Sequence, residues 1–226
     1  MAAKTFWIGI GDIHDDLAAL GRLSGIADLA AAAGILISGD LTVLGDAAKA
    51  RRVLDAARRL GLVLGAQIGN MDRADVDTFL SAEGVNLHAT GLVTPPGVGI
   101  FGVGWSTPTP FGTPSEAGED RIAAWLDTAH AAVAGCERQL LVCHTPPLDT
   151  AVDRVRSGMH VGSRAVREFI ERVQPDVCLT GHIHEARGED VIGRTRIVNP
   201  GALSDGHYAR IELDPAAGLT AQVCSL

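Results

Sequence analysis

Seven residues of metal-binding type close five apolar runs of this 226-residue chain. FWIGI is followed by Gly11-Asp12-Ile13-His14, LIS by Gly39-Asp40 and VLGAQI by Gly69-Asn70. LLVC is followed by His144, and VCLT by Gly181-His182-Ile183-His184. The set holds two carboxylates, one amide and four imidazoles. Mixed oxygen and nitrogen donors without thiolate suit Mn, Fe, Zn, Ni or Co, and do not suit Ca. Seven donors are too many for one ion with open positions. They fit two ions about 3.5–4 Å apart that share one carboxylate. Taken singly, an Asp after a strand is a helix cap or turn residue, and a lone motif match carries a high false-positive rate. Independent caps would not select histidine at two run ends, nor produce the paired GHIH. Glycine precedes the donor at four of the five ends, where it lets the backbone turn sharply and approach closely.

The elements that must carry these ends are legible in outline. Strands are expected at Thr5–Gly11, Ile35–Ser38, Leu62–Ile68, Val85–Ala89, Val98–Val103, Leu140–Cys143 and Asp176–Thr180. Helices are expected at Asp15–Ala33, Ala47–Leu60, Ala74–Glu83, Asp120–Ala134 and Ser163–Val173, with Asp15 or Asp16 capping the first and Gly34 ending it. A turn falls around Pro95-Pro96-Gly97. From His184 onward the chain reads as β-ribbon at Asp190–Ile192, Arg196–Val198 and Ala209–Leu213. The early βαβα order implies a largely parallel sheet, and the later strands suggest a second sheet packed on it. The reading is α/β: a four-layer αββα sandwich of two mixed sheets flanked by helices, in a single domain over residues 1–226. In open α/β sheets, ligands bind beyond the carboxyl ends of the strands, so the five run ends should converge in space.

Bulk properties narrow the function classes. Hydrophobic residues make up 46% and charged residues 20%, which is ordinary globular usage. The formal net charge of -8 argues against duplex nucleic acid as a partner. It does not exclude a phosphate substrate, because bound metal ions reverse the local field in a cleft. Cys136, Cys143, Cys178 and Cys224 form no C-x-x-C pair, and the two inside apolar runs read as buried, reduced thiols. No run reaches the roughly 18 apolar residues of a membrane span, and the N-terminus lacks a signal-peptide pattern. A cytoplasmic protein with no membrane partner is expected. A homo-oligomer is left open.

The motifs GDIH, SGD, GN-x-D, CH, GHIH and NPG, in that order between Ile10 and Gly201, resemble those of the calcineurin-like metallophosphoesterases. The family fold is the αββα sandwich. The resemblance implies that Asp12, His14 and His184 hold one metal ion, that Asn70, His144 and His182 hold a second, and that Asp40 bridges both. It also implies that Asn70 touches a phosphate oxygen, which makes Asp40 and Asn70 the catalytic candidates. Two divalent ions, with Mn placed first and Fe, Zn, Ni or Co as alternatives, would turn a bridging water into hydroxide near neutral pH. That hydroxide would attack phosphorus in line with the leaving oxygen of a small phosphoester. A phosphodiester is the leading expectation. The alternatives are a phosphomonoester and a catalytically weak metal-binding scaffold. A metal-dependent exonuclease is a further reading that the acidic, short chain disfavours.

One position departs from the family. Its usual GNHD is here Gly69-Asn70-Met71-Asp72, and the histidine thought to protonate the leaving group is missing. Loss of a general acid costs about 10²–10⁴-fold for a poor leaving group. His160 and His207 are the candidate replacements. Two long loops, Thr107–Gly118 and Thr145–Gly162, are long enough to shape a pocket. Arg154 or Arg156 in the second is a candidate for binding a distal phosphate or carboxylate. Trp105 reads as core, with base stacking as its alternative. Asn199 in the NPG turn is a candidate for orienting a ligand.

Overall fold

Alternate residues of strand β1 (Thr5–Ile10) serve two different cores. Phe6, Ile8 and Ile10 face one set of helices, while Trp7 points the other way into a layer shared with a second sheet. That is the period-2 signature of a strand buried on both faces. The computed structural model describes residues 5–62, 64–95, 97–214 and 217–226. After β1 come α1 (Leu17–Arg22), β2 (Gly34–Ile37), α2 (Ala47–Arg58), β3 (Leu64–Ala66) and α3 (Ala74–Ala82). Then follow β4 (Thr90–Val93), β5 (Val98–Val103), α4 (Glu119–Ala131), β6 (Arg138–Cys143), α5 (Arg164–Val173) and β7 (Val177–Leu179). The chain closes with β8 (Gly188–Ile192), β9 (Thr195–Asn199), β10 (His207–Asp214) and β11 (Gly218–Ser225).

The first sheet runs β11-β10-β1-β2-β3, and the second β4-β5-β6-β7-β9-β8. Both are mixed. β1, β2 and β3 are parallel, with β10 antiparallel beside β1. β5, β6, β7 and β9 are parallel, with β4 and β8 antiparallel at the edges. Three apolar layers hold the sandwich together. The first sheet packs on α1–α3 and the second on α4 and α5. Trp7, Leu36, Leu140, Val142, Leu179 and Val198 fill the space between the sheets. This is the expected αββα architecture. α5 shows how its outer layer forms: Ala165, Val166, Phe169 and Ile170 are buried at helical spacing, and Ser163 caps it through Val166 N.

Several boundaries differ from the sequence expectation. The long helix over Asp15–Ala33 is six residues of α-helix followed by 3₁₀ turns at Leu23–Gly25 and Leu29–Ala31. Ser24 bonds back to the Gly21 carbonyl, and Gly25 follows, so the local sequence offers the backbone alternatives to helix. Asp16 does cap α1, accepting from Ala19 N, whereas Gly34 begins β2. The strand expected at Val85–Ala89 is reduced to isolated bridges, Asn86 to Ala66 and His88 to Gly102, with the Asn86 side chain accepting from His88 N. β4 lies just beyond. The ribbon at the end is split: β8 and β9 edge the second sheet, while β10 and the unexpected β11 extend the first. Pro96 of the expected Pro95-Pro96-Gly97 turn and Val63 of the expected third strand lie outside the described residues. No helix among the described residues is long and apolar enough to cross a membrane.

Candidate metal centre

β1, β2 and β3 of one sheet and β6 and β7 of the other bring their carboxyl ends to one side of the sandwich. The backbone turns abruptly there. Asp12, His14, Asp40 and His182 have φ of 51, 50, 51 and 68°, in the left-handed region that non-glycine residues seldom occupy. The glycines are needed for close approach. A Cβ on Gly181 would lie 2.5 Å from Asp12 Oδ2, and one on Gly69 would strike the Asp40 carboxylate.

The seven expected donors converge. His184 Nε2 lies 3.1 Å from Asp12 Oδ1 and 3.2 Å from His14 Nε2. His14 Nε2 is 3.8 Å from Asp40 Oδ2, and His144 Nε2 is 3.5 Å from Asp40 Oδ1 and 3.0 Å from Asn70 Oδ1. The His182 ring stands beside that of His144, with centroids 5.2 Å apart. One donor atom each from Asp12, His14 and His184 falls within 4.8 Å of the others, as do those of Asp12, Asp40 and His144. His14 and His184 can share at most one proton between facing nitrogens, so a lone pair is directed into the cluster. The donor set therefore fits divalent ions.

Charges at this site are mutually dependent. Burial raises the Asp12 carboxyl, but its hydrogen bond with His184 and the fields of His144, His184 and His14 hold it at about 2. Burial opposes charge on His144, yet the Asp40 carboxylate beside it raises the ring to about 9. Burial and the His144 charge push His182 down to about 4. Burial and the nearby Asp40 charge push Asp72 up to about 7.

Three supports carry no role in the sequence reading. Asp72 accepts from Leu41 N and Gly69 N at 3.0 Å, and from Thr42 N and Thr42 Oγ at 2.8 Å, clasping the turns that carry Asp40 and Asn70. Gln67 Nε2 donates to the carbonyls of Ser38, Val103 and Val142, tying both sheets together beneath Asn70. Thr113 Oγ accepts from Asn70 Nδ2 at 3.1 Å, and Glu116 in turn fixes Thr113. The GN-x-D spacing was a signal for Asp72. Gln67 and Thr113 carry none.

The cluster opens into a cavity of about 990 Å³, walled by both long loops. Met71, Val155, Met159 and Val161 line it, while Arg154 lies outside that lining and donates to the Gly158 carbonyl. Arg156 is exposed, with its N–H on Glu185. His160 is pinned to the buried Asp153 at 2.6 Å, and His207 Nδ1 pairs with Arg187. Trp105 packs against His88 and Trp125, as a core residue does. Asn199 donates to the Ile183 carbonyl and accepts from Gly201 N, so it orients the turn that carries His182 and His184.

An uncharacterized protein of Methanocaldococcus jannaschii is 32% identical over 200 residues, covering 85% of this chain and 86% of that protein. The profile of the metallophosphoesterase, calcineurin superfamily, matches residues 132–218. The chain belongs to the calcineurin-like metallophosphoesterases. The fold agrees with this metallophosphoesterase assignment. The structure of TT1561 of Thermus thermophilus superposes with a TM-score of 0.74 at 17% identity, covering 99% of both chains. A dimetal phosphatase of Danio rerio superposes with a TM-score of 0.60 at 12% identity, covering 98% of both chains. Metallophosphoesterases use divalent metals to hydrolyse phosphoesters, and this one has donor clusters able to hold them.

Proposed function

We propose that this metallophosphoesterase is a phosphodiesterase acting on a small substrate at a dinuclear centre. The observation that supports it most is the placement of Asp40, whose two carboxylate oxygens face different histidines, His14 on one side and His144 on the other. Asp12, His14 and His184 would hold one ion, Asn70, His144 and His182 the other, and Asp40 would bridge them. Mn is the first choice of metal. Divalent ions supply an activated water and charge neutralisation at the phosphoryl oxygens.

The chain's own residues do the remainder. Asn70, held by Thr113, presents its amide at the cavity floor to orient a phosphoryl oxygen. Met71 N–H donates to Asp40 Oδ1 at 2.8 Å and fixes the bridging carboxylate. The Met71 side chain lines the cavity where the family histidine stands, and it donates no proton. The enzyme should therefore favour esters with acidic leaving groups. Met71 also motivates a second reading, a metal-binding scaffold with little turnover. Arg154 is kept as a substrate-binding candidate only for groups that extend beyond the cavity.

Hydrolysis of bis-p-nitrophenyl phosphate and p-nitrophenyl phosphate, after metal removal and Mn²⁺ add-back, separates these readings. The diester should be cleaved faster. Asp40→Asn should lower kcat/KM by about 10³-fold or more, since several kcal/mol of charge stabilisation depends on placing both ions. Faster cleavage of the monoester would make the protein a phosphatase. Metal uptake without cleavage of either ester would favour the scaffold.

A further inference from the structure

The walls of the cavity are unlike its floor. Leu44, Met71, Phe111, Val155, Met159 and Val161 surround the opening above the donor cluster. Three of them are among the most exposed large apolar side chains: Phe111 at 86%, Met159 at 63% and Leu44 at 56%. Leu44 sits at φ 51°, a left-handed conformation that a leucine seldom adopts. Leu44 lines the mouth of the cavity. Among the described lining residues there is no lysine or arginine, and the charged wall residue is Glu185. A substrate with a second phosphate or a carboxylate would meet no cation here. An apolar group would remove these side chains from water.

We infer that the cavity selects a substrate bearing a single phosphate esterified to an uncharged apolar group, alkyl or aryl, which packs against Phe111, Leu44 and Met159. This inference rests on the phosphodiesterase reading and adds the substrate class. Such burial is worth about fourfold in affinity for each methylene removed from water.

The test uses p-nitrophenyl phosphodiesters that share one leaving group and differ in the second ester group: methyl, butyl, hexyl, phenyl and 2-carboxyethyl. Metal-loaded protein should show kcat/KM rising at least tenfold from methyl to hexyl, and falling for carboxyethyl. Phe111→Ser and Leu44→Ser should flatten that series, while Leu92→Ser, an exposed change on β4 outside the cavity, should leave the hexyl-to-methyl ratio intact. Calorimetric binding of hexylphosphonate against methylphosphonate should show the same preference, and Phe111→Ser should lose it. Equal rates across the series, or a carboxyethyl ester preferred, would overturn the inference and leave the phosphodiesterase reading standing. No hydrolysis of any ester would overturn that reading, and this inference with it.

Discussion

The floor of the site and its rim are built on opposite principles. The floor consists of strand ends: Asp12, Asp40, Asn70 and His144 are all buried, Asp12 and Asp40 sit at left-handed backbone angles, and His144 bonds to Asn70. The rim consists of loops, and its side chains Leu44, Phe111 and Met159 stand exposed with apolar surface outward. The floor thus fixes charged donors rigidly where low mobility matters for chemistry. The rim leaves apolar area unburied, which a folded chain does not need for stability and which a ligand can use. Perturbing the floor should therefore cost fold and metal together, and perturbing the rim should change selectivity with little effect on stability.

The largest stability effect should come from Asp72. Asp72→Ala removes one acceptor group from four buried donors on the turns of Asp40 and Asn70. A loss of about 3 kcal/mol is expected, which at this chain length lowers Tm by about 6–12 °C. Thermal unfolding followed by circular dichroism reads it, and an unchanged Tm would show that the turns hold themselves. Gln67→Ala comes next. It frees three carbonyls that join the sheets, with an expected cost of about 2 kcal/mol. Urea unfolding should show a lower midpoint at a similar slope.

The smallest effect should be found at the rim. Burial raises the Glu116 carboxyl, but hydrogen bonds from Thr109 and Thr113 outweigh it and hold it at about 2. The folded value is depressed. The stability it contributes is therefore present above the usual carboxylate range near 4.5, and is lost as pH falls toward 2. Glu116→Gln should erase that part of the acid dependence between pH 4.5 and 2, and should lower Tm at neutral pH by less than Gln67→Ala does, because the group is solvent-screened. A larger neutral-pH effect than that of Gln67→Ala would invert the contrast between floor and rim.

The same contrast explains what the sequence made legible. Donor residues and glycines at strand ends are local signals, so all seven floor positions and the five strands beneath them could be read from residue order. β5 was placed correctly over Val98–Val103 because its apolar run is sharply bounded. Asp72 stands in the legible GN-x-D spacing, but its clasp on Leu41 and Thr42, like the reach of Gln67 to Val142, is a contact across a long sequence separation that residue order does not show. β11 was not expected, although Leu219, Ala221 and Val223 alternate with Thr220 and Gln222 and face the layer between the sheets. β10 and β11 join the first sheet because β1 leaves an edge for β10 to cover. Arg154 was attractive by residue type, but loop conformation decides where such a side chain points, and local sequence does not fix that.

The central claim is that these strand ends hold two metal ions. Manganese bound per chain, counted by mass spectrometry after equilibrium dialysis of wild type, His184→Ala and His144→Ala, tests it most directly. The account predicts two ions per wild-type chain and the loss of one in each variant, from different sides of Asp40. One ion or none in the wild type, or an unchanged count in both variants, would contradict it.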